Sequence, residues 1–229
     1  MQQQSTLYAG IDLHRKYSQI TLLDEKGYVQ QSTKVENQDT QRLVSVLSQP
    51  NKLTLAGVEC TYGWYWIADL IESIPNVKMK LGHASGIKKF AKSRKKTDKI
   101  DSKLMADLMR YNLFPESHQT SRQHRVLKDI LRHRAYLVQQ RSSLKCRLHA
   151  MLAKQNIDCK FSDILGKKAR QWLAETVDRY PYDVEVRTSL ELADSLDRQI
   201  TSLDKELDGI ADKHPDIELI NLSYEIRQI

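Results

Sequence analysis

The chain begins with three runs of apolar or alternating residues that are separated by short polar turns. They span residues 7–13, 17–23 and 28–35, and they predict three strands joined as an antiparallel meander. Two further apolar runs, residues 52–58 and 77–81, predict a fourth and a fifth strand.

Helical patterns lie between and after the last two predicted strands. Apolar residues recur at three- and four-residue spacing in residues 38–47, 64–74 and 97–111, and Pro50 and Pro75 close the first two patterns. A basic loop is expected after the fifth strand. The order β-β-β-α-β-α-β-α predicts a mixed five-stranded sheet with flanking helices, as in a ribonuclease-H-like α/β fold. A different α/β arrangement of the same elements stays open.

The second half of the chain has a purely helical pattern. Residues 121–155 contain no Gly or Pro and predict one long helix, and a shorter helix is expected near residues 167–179. Apolar residues then repeat mainly at 4,3 spacing over residues 186–210, which is typical of a coiled coil. This stripe packs either within the chain or between chains.

These patterns divide the chain of 229 residues into an α/β domain, residues 1–114, and a helical coiled-coil region, residues 115–229. No apolar run approaches the roughly 18 residues of a membrane span, and the N-terminus has no signal-peptide pattern. Cys60, Cys146 and Cys159 have unrelated spacings, so we expect free thiols in a cytoplasmic protein, with Cys60 buried.

Positive charge is concentrated in the middle of the chain. The net charge is +7, but residues 78–155 carry 20 Lys and Arg against 5 Asp and Glu, whereas the other residues are net acidic. Such a stretch indicates a polyanionic partner, most simply nucleic acid, with a solvated helix surface as the alternative. The candidate contact residues are Lys88, Lys89, Lys92, Arg94, Lys95, Lys96, Lys99, Arg122, Arg125, Arg132, Arg134, Arg141, Lys145 and Arg147.

Four carboxylates form the candidate catalytic set. Asp12 lies at the end of the first predicted strand and Glu59 directly after the fourth, so the two acids meet at one sheet edge if these strands are parallel neighbours. Asp98 and Asp101 lie three residues apart in the first turn of a predicted helix and share a face; the alternative for Asp98 is a helix cap with Thr97. An unpaired carboxylate at the end of an apolar strand is costly unless a cation compensates it.

Oxygen ligands without His or Cys suit Mg²⁺ or Mn²⁺. Two such ions about 4 Å apart can activate a nucleophile and stabilise a leaving oxygen in phosphoryl transfer. The neighbouring basic residues would hold a phosphate backbone beside the acids. The combination predicts metal-dependent chemistry on nucleic acid.

Three segments resemble the N-terminal motifs of the DEDD transposases. They are GIDLHRKYSQITLLD (residues 10–24), GVECTYGWYW (residues 57–66) and KKTDKIDSKLMADLMR (residues 95–110). That family comprises insertion-sequence recombinases of the one-ten and eleven-eleven groups, which are related to Piv-type site-specific invertases. The resemblance covers residues 7–112 as a RuvC-like domain, and the following helices fit the coiled-coil region of the family.

The resemblance implies a function and a set of partners. Asp12, Glu59, Asp98 and Asp101 would be the D-E-D-D set that binds Mg²⁺ for DNA transposition. The partners would be DNA, a structured guide RNA and further copies of the chain, as a dimer or a tetramer. The family also has a C-terminal domain with a catalytic serine, which these 229 residues lack. We therefore expect an N-terminal portion or a truncated transposase that does not complete strand exchange alone.

Three other hypotheses stay open: a truncated, non-catalytic nucleic-acid-binding and dimerisation module, a Holliday-junction resolvase, and an actin-like ATPase. The ATPase hypothesis needs a phosphate-binding Gly where this chain has Leu13-His14-Arg15. We expect His14 in a polar turn, with nucleic-acid contact as the alternative. Among the aromatic residues after Glu59, one or two could stack on a base, whereas Trp64 is expected in the core.

Overall fold

A computed structural model describes residues 5–91, 97–177 and 183–211. The chain divides into two units, Met1–Gln119 and Thr120–Ile229.

The first unit is built on a mixed five-stranded sheet. Its strands are β1 (Ser5–Leu13), β2 (Tyr17–Leu23), β3 (Val29–Glu36), β4 (Lys52–Glu59) and β5 (Val77–Gly82). The order across the sheet is β3-β2-β1-β4-β5. The pairs β1–β2 and β2–β3 are antiparallel, whereas β1–β4 and β4–β5 are parallel. The predicted ribonuclease-H-like α/β fold is confirmed.

The helices of this unit connect the strands and cover the sheet. They are α1 (Thr40–Leu47), α2 (Trp64–Glu72), α3 (Ala84–Lys88) and α4 (Asp98–Arg110). Helix α3 replaces the start of the basic loop that the sequence predicts. Its residue Ile87 is buried in a cluster with Met105 and Leu108 of α4, and this burial stabilises one helical turn after β5.

The two faces of β1 have different roles. Ala9 and Ile11 are fully buried in the main core, together with Leu43 of α1 and Ile67 of α2. Because alternate residues of a strand point to opposite faces, Gly10 and Asp12 lie on the other face, where α4 packs. The alternation of apolar residues in β1 therefore places Ala9 and Ile11 in the core and Asp12 on the face toward α4.

Gly10 allows α4 to lie directly on the sheet. A Cβ atom on this residue would come within 1.8 Å of the Ser102 carbonyl oxygen and 2.5 Å of the Ala106 nitrogen, both backbone atoms of α4. At the same contact the Thr21 and Ser102 hydroxyl groups form a buried hydrogen bond of 2.8 Å. These contacts hold the first turns of α4 at the carboxyl end of β1.

The second unit consists of α5 (Arg122–Lys154), α6 (Lys167–Val177) and α7 (Asp183–Ala211). Helices α5 and α7 pack antiparallel, and Leu207 of α7 is buried against Leu127 of α5. The apolar stripe of α7 is thus used within the chain. None of the described helices is both long enough and apolar enough to cross a membrane.

Candidate metal centre and nucleic-acid interface

The carboxyl end of β1 and the first turn of α4 bring two predicted acids together. The Asp12 side chain is mostly buried, and the His14 Nε2 atom lies 3.1 Å from its Oδ2 atom and 3.5 Å from the Asp98 Oδ1 atom. Asp12, His14 and Asp98 each offer a ligand atom, and these atoms lie within 4.8 Å of one another. We call these three residues the acid cluster.

The electrostatics of the acid cluster disfavour a second negative charge. Burial raises the pKa of Asp12 above its ordinary value of 3.8, the charges of Asp101 and Asp98 raise it further, and His14 opposes these effects. A cation at this place would stabilise the ionised carboxylates. Two carboxylates and one imidazole also form a donor set that divalent cations accept in proteins, so the residues fit a metal ion.

Tyr17, at the start of β2, positions the acid cluster from the side. Its hydroxyl donates a 2.9 Å hydrogen bond to the Asp98 Oδ2 atom, which raises the pKa of Tyr17. The ring stacks on His14 with 4.6 Å between centroids, and the Lys34 Nζ atom lies 3.4 Å from the centre of the Tyr17 ring. Tyr17 was not among the predicted site residues, and His14 was expected in a polar turn or in contact with nucleic acid rather than beside the acids. The two-residue spacing of His14 from Asp12 was the available signal, because such residues share a strand face.

Glu59 and Asp101 lie near the acid cluster but outside its compact group of ligand atoms. Glu59 is the last residue of β4, and the pairing of Ile11 with Val58 places it beside Asp12 at the same sheet edge. Asp101 lies one turn after Asp98 on α4, and its charge acts on Asp12. The carboxyl ends of β1 and β4 therefore carry Asp12 and Glu59, and the first turn of α4 carries Asp98 and Asp101.

The predicted basic residues of the first unit fall into two groups. Lys88 and Lys89 are exposed at the end of α3, and Lys99 is exposed in the first turn of α4, next to Asp98. The other four lie outside the described residues; they are Lys92, Arg94, Lys95 and Lys96.

Three of the basic residues on α5 bind acids of α7, two of them through two-pronged ion pairs. Arg134 forms a two-pronged ion pair with Asp204, and Arg141 does the same with Asp197. Both the arginines and the aspartates are seven residues apart, which is the spacing of an antiparallel heptad pairing. These ion pairs compensate part of the positive charge that the sequence places on this helix.

The other five predicted nucleic-acid contacts on α5 differ in their surroundings. Arg125 is only 4% exposed, and its Nε atom donates to the Thr120 carbonyl oxygen at 2.9 Å. Arg122 is exposed. The other three form ion pairs: Lys145 with Asp163 at 3.0 Å, Arg132 with Asp129 at 3.4 Å, and Arg147 with Glu185 at 3.8 Å. Nucleic-acid binding by these residues stays a prediction.

A cavity of about 460 Å³ adjoins the acid cluster and shares His14 with it. Three segments line it, at residues 13–15, 37–40 and 61–66, and they comprise loops together with the end of β1 and the first residues of α1 and α2. Its aromatic residues are Tyr62, which is 85% exposed, and Trp66, which is half-buried.

Two expectations for the segment after β4 have different outcomes. Trp64 is buried, as expected of a core residue. The expected burial of Cys60 is wrong: this thiol is exposed, because Cys60 follows the last residue of β4 and lies beyond the sheet. All three cysteines are free, as predicted.

The fold and the acid cluster define a ribonuclease-H-like domain with carboxylates at the ends of its central strands. Comparison with protein families identifies the group more closely. A family of DEDD transposases of the IS110 type, described as Transposase, matches residues 9–157, and the chain belongs to this family. The match covers more than half of the chain. No curated protein matches the chain in sequence. A transposase acts on DNA, and the DEDD type depends on a divalent metal.

Proposed function

We propose that this chain supplies the metal-binding and DNA-engaging part of a transposase that carries out site-specific DNA recombination. One observation carries the proposal. Asp12 and Asp98 are 86 residues apart in the sequence, yet β1 and α4 bring their carboxylates to the same imidazole. Burial of the Asp12 carboxylate without a cation is unfavourable. The close approach of Asp12 and Asp98 is therefore better explained by a cation-binding site than by a contact that stabilises the fold.

The ligand set that we propose comprises all four predicted acids. Asp12 and Asp98 would hold Mg²⁺ or Mn²⁺ together with Glu59 and Asp101. A bound divalent cation supplies positive charge that polarises a phosphate and lowers the pKa of a water molecule. Tyr17 orients one carboxylate oxygen of Asp98 and leaves the other toward His14.

DNA would approach the acid cluster along the basic segment between β5 and α4. Lys88, Lys89 and Lys99 are exposed there, and Lys92, Arg94, Lys95 and Lys96 belong to the same segment of the sequence. Lysines bind the phosphate backbone without reading its sequence, so this segment would position DNA beside the acids.

The helical unit would carry the remaining partners. The family resemblance extends the proposal to a structured guide RNA, for which Arg122, Arg125, Arg132, Arg134, Arg141, Lys145 and Arg147 are the candidate contacts. A homo-oligomer, dimer or tetramer, would form through the same unit. Val126 and Tyr136 of α5 support this, because both are large apolar residues that stay exposed on a helix already packed against α7.

Salt-dependent DNA binding tests the proposal. Fluorescence anisotropy of a duplex oligonucleotide would be measured with the 229-residue chain and with a K88Q/K89Q/K99Q variant, over a range of NaCl concentrations. We expect the slope of log K against log salt to fall by up to about 3, since each phosphate contact contributes about 0.9. Lys78→Gln, an exposed lysine at the start of β5, is the matched control. An unchanged slope in the triple variant would contradict the proposed path of DNA.

A further inference from the structure

The cavity beside the acid cluster has preformed walls. The Asn37 side chain holds two of its loops together, because its Nδ2 atom donates to the His14 carbonyl oxygen and its Oδ1 atom accepts from the Ser18 hydroxyl, both at 2.8 Å. The Asn37 backbone nitrogen also donates to the Lys16 carbonyl oxygen at 2.9 Å. These bonds join the β1–β2 turn to the segment after β3, so a ligand would meet a site that is already shaped.

The lining of the cavity combines aromatic and cationic groups. Tyr62 presents almost its whole ring to solvent, and Trp66 adds the partly exposed indole of α2. Arg15 is exposed, and among the described residues it forms no ion pair. None of the described lining residues is acidic. An exposed aromatic ring and a guanidinium that line the same cavity suit a ligand with a flat apolar face and a negative charge.

The position and size of the cavity narrow the class of ligand. His14 belongs both to the cavity and to the acid cluster, so a ligand in the cavity is adjacent to the proposed metal. A volume of about 460 Å³ lies in the range of small-molecule sites and is too small for a base-paired duplex. A single nucleotide has the required flat face, the negative charge and the size.

We propose that this cavity binds one unpaired nucleotide of the DNA substrate, with its base stacked on Tyr62 and its phosphate held by Arg15. The proposal rests on the proposed function, because it assumes that DNA reaches the acid cluster. Beyond DNA binding by the acid cluster, this proposal assigns the cavity a second role. The cavity would hold a nucleotide that has left the duplex, close to the phosphate that reacts.

The test uses the 229-residue chain and a single-stranded oligodeoxynucleotide. Anisotropy gives the affinity of the wild type and of Tyr62→Ala, Tyr62→Phe and Tyr28→Ala. Tyr28 is the matched control, since it is 68% exposed in the same unit but lies at the opposite end of the sheet. Loss of one base stack is expected to weaken binding about 5- to 150-fold in Tyr62→Ala, with little change in the other two variants.

Two further measurements distinguish stacking from a general loss of binding. Arg15→Gln is expected to reduce the slope of log K against log salt by about 0.7, because one phosphate contact to the single strand is lost. Tyr62→Ala is expected to leave this slope unchanged, because stacking involves no phosphate. An oligonucleotide carrying 5-iododeoxyuridine should crosslink to Tyr62 on irradiation. Mn²⁺ affinity should be the same in Tyr62→Ala as in the wild type, because the side chain of Tyr62 is not part of the acid cluster.

The outcomes separate this proposal from the proposed function. If the wild type binds DNA and Tyr62→Ala binds within twofold of it, the nucleotide site is refuted while the DNA-binding function stands. Crosslinks confined to the helical unit would refute it equally, and so would a preference for an RNA oligonucleotide of the same sequence. If the wild type binds no DNA, the proposed function fails, and this proposal fails with it.

Discussion

Substitution of Gly10 by alanine tests how the acid cluster is assembled. The new Cβ atom would lie 1.8 Å from the Ser102 carbonyl oxygen and 2.5 Å from the Ala106 nitrogen. Both atoms belong to the backbone of α4, so no side-chain rotation relieves the contact. The helix has to move away from β1, and the buried hydrogen bond between Thr21 and Ser102 is lost with it.

The expected loss of stability in Gly10→Ala follows from the steric overlap with α4 and from the lost hydrogen bond between Thr21 and Ser102. Overpacking against a rigid neighbour costs about 1–3 kcal/mol, and loss of the hydrogen bond between Thr21 and Ser102 costs about 0.5–1.5 kcal/mol more, since each hydroxyl keeps a second partner. The expected loss in the free energy of unfolding is therefore about 1.5–4.5 kcal/mol. For a unit of this size each kcal/mol corresponds to roughly 4 °C in Tm, so Gly10→Ala should melt about 6–18 °C below the wild type.

Urea and thermal unfolding followed by circular dichroism measure this effect. Gly209→Ala in α7 is the control, because a Cβ atom there would meet no other segment within 4 Å, and the same substitution in an open helix should stabilise it by roughly 0.5–1 kcal/mol. Gly10→Ala should also bind Mn²⁺ more weakly, since α4 carries Asp98. A Gly10→Ala protein as stable as the wild type would refute the close packing of α4 on β1.

Three further predictions concern the acids and the helices. Because burial raises the pKa of Asp12, its ionised form at pH 7 destabilises the metal-free fold; Asp12→Asn should raise the Tm in EDTA at pH 7, and the gain should shrink as the pH falls through the raised pKa and vanish well below pH 3.8, where the carboxyl is protonated in both the folded and the unfolded state. Tyr17→Phe should weaken Mn²⁺ binding several-fold without changing the fold, since Asp98 loses its positioning hydrogen bond. A double-mutant cycle of Arg141→Gln and Asp197→Asn, followed by urea unfolding, should give a coupling of about 0.2–1 kcal/mol; zero coupling would mean that the pair is dispensable.

Local periodicity was sufficient to predict the five strands of the first unit and its helices α1, α2 and α4. The alternation of residues 17–23 and the apolar run at residues 52–58 are properties of single segments, and a segment that must bury one face adopts the structure whose period matches it. The position of Asp12 and Glu59 at one edge was also predictable, because parallel strands end at the same sheet edge. That α4 brings Asp98 to this edge was implied only by the family resemblance.

The features that the sequence analysis missed depend on contacts between distant segments. His14 joins the acid cluster because α4 brings Asp98 to it, and Tyr17 reaches the same carboxylate from the next strand. Helix α3 exists because Ile87 finds a buried place beside α4. The heptad pattern of α7 has the same appearance for an intramolecular and an intermolecular partner; the pairing of Asp197 with Arg141 is what distinguishes them.

Calorimetric titration of the metal-free chain with Mn²⁺ tests the central claim most directly. The wild type and Glu72→Gln, an exposed acid of α2 remote from the cluster, should show the same saturable binding. Asp12→Asn and Asp98→Asn should remain folded by circular dichroism and lose that binding. Mn²⁺ binding of unchanged affinity in Asp12→Asn would contradict the assignment of the acid cluster as the metal centre of this transposase.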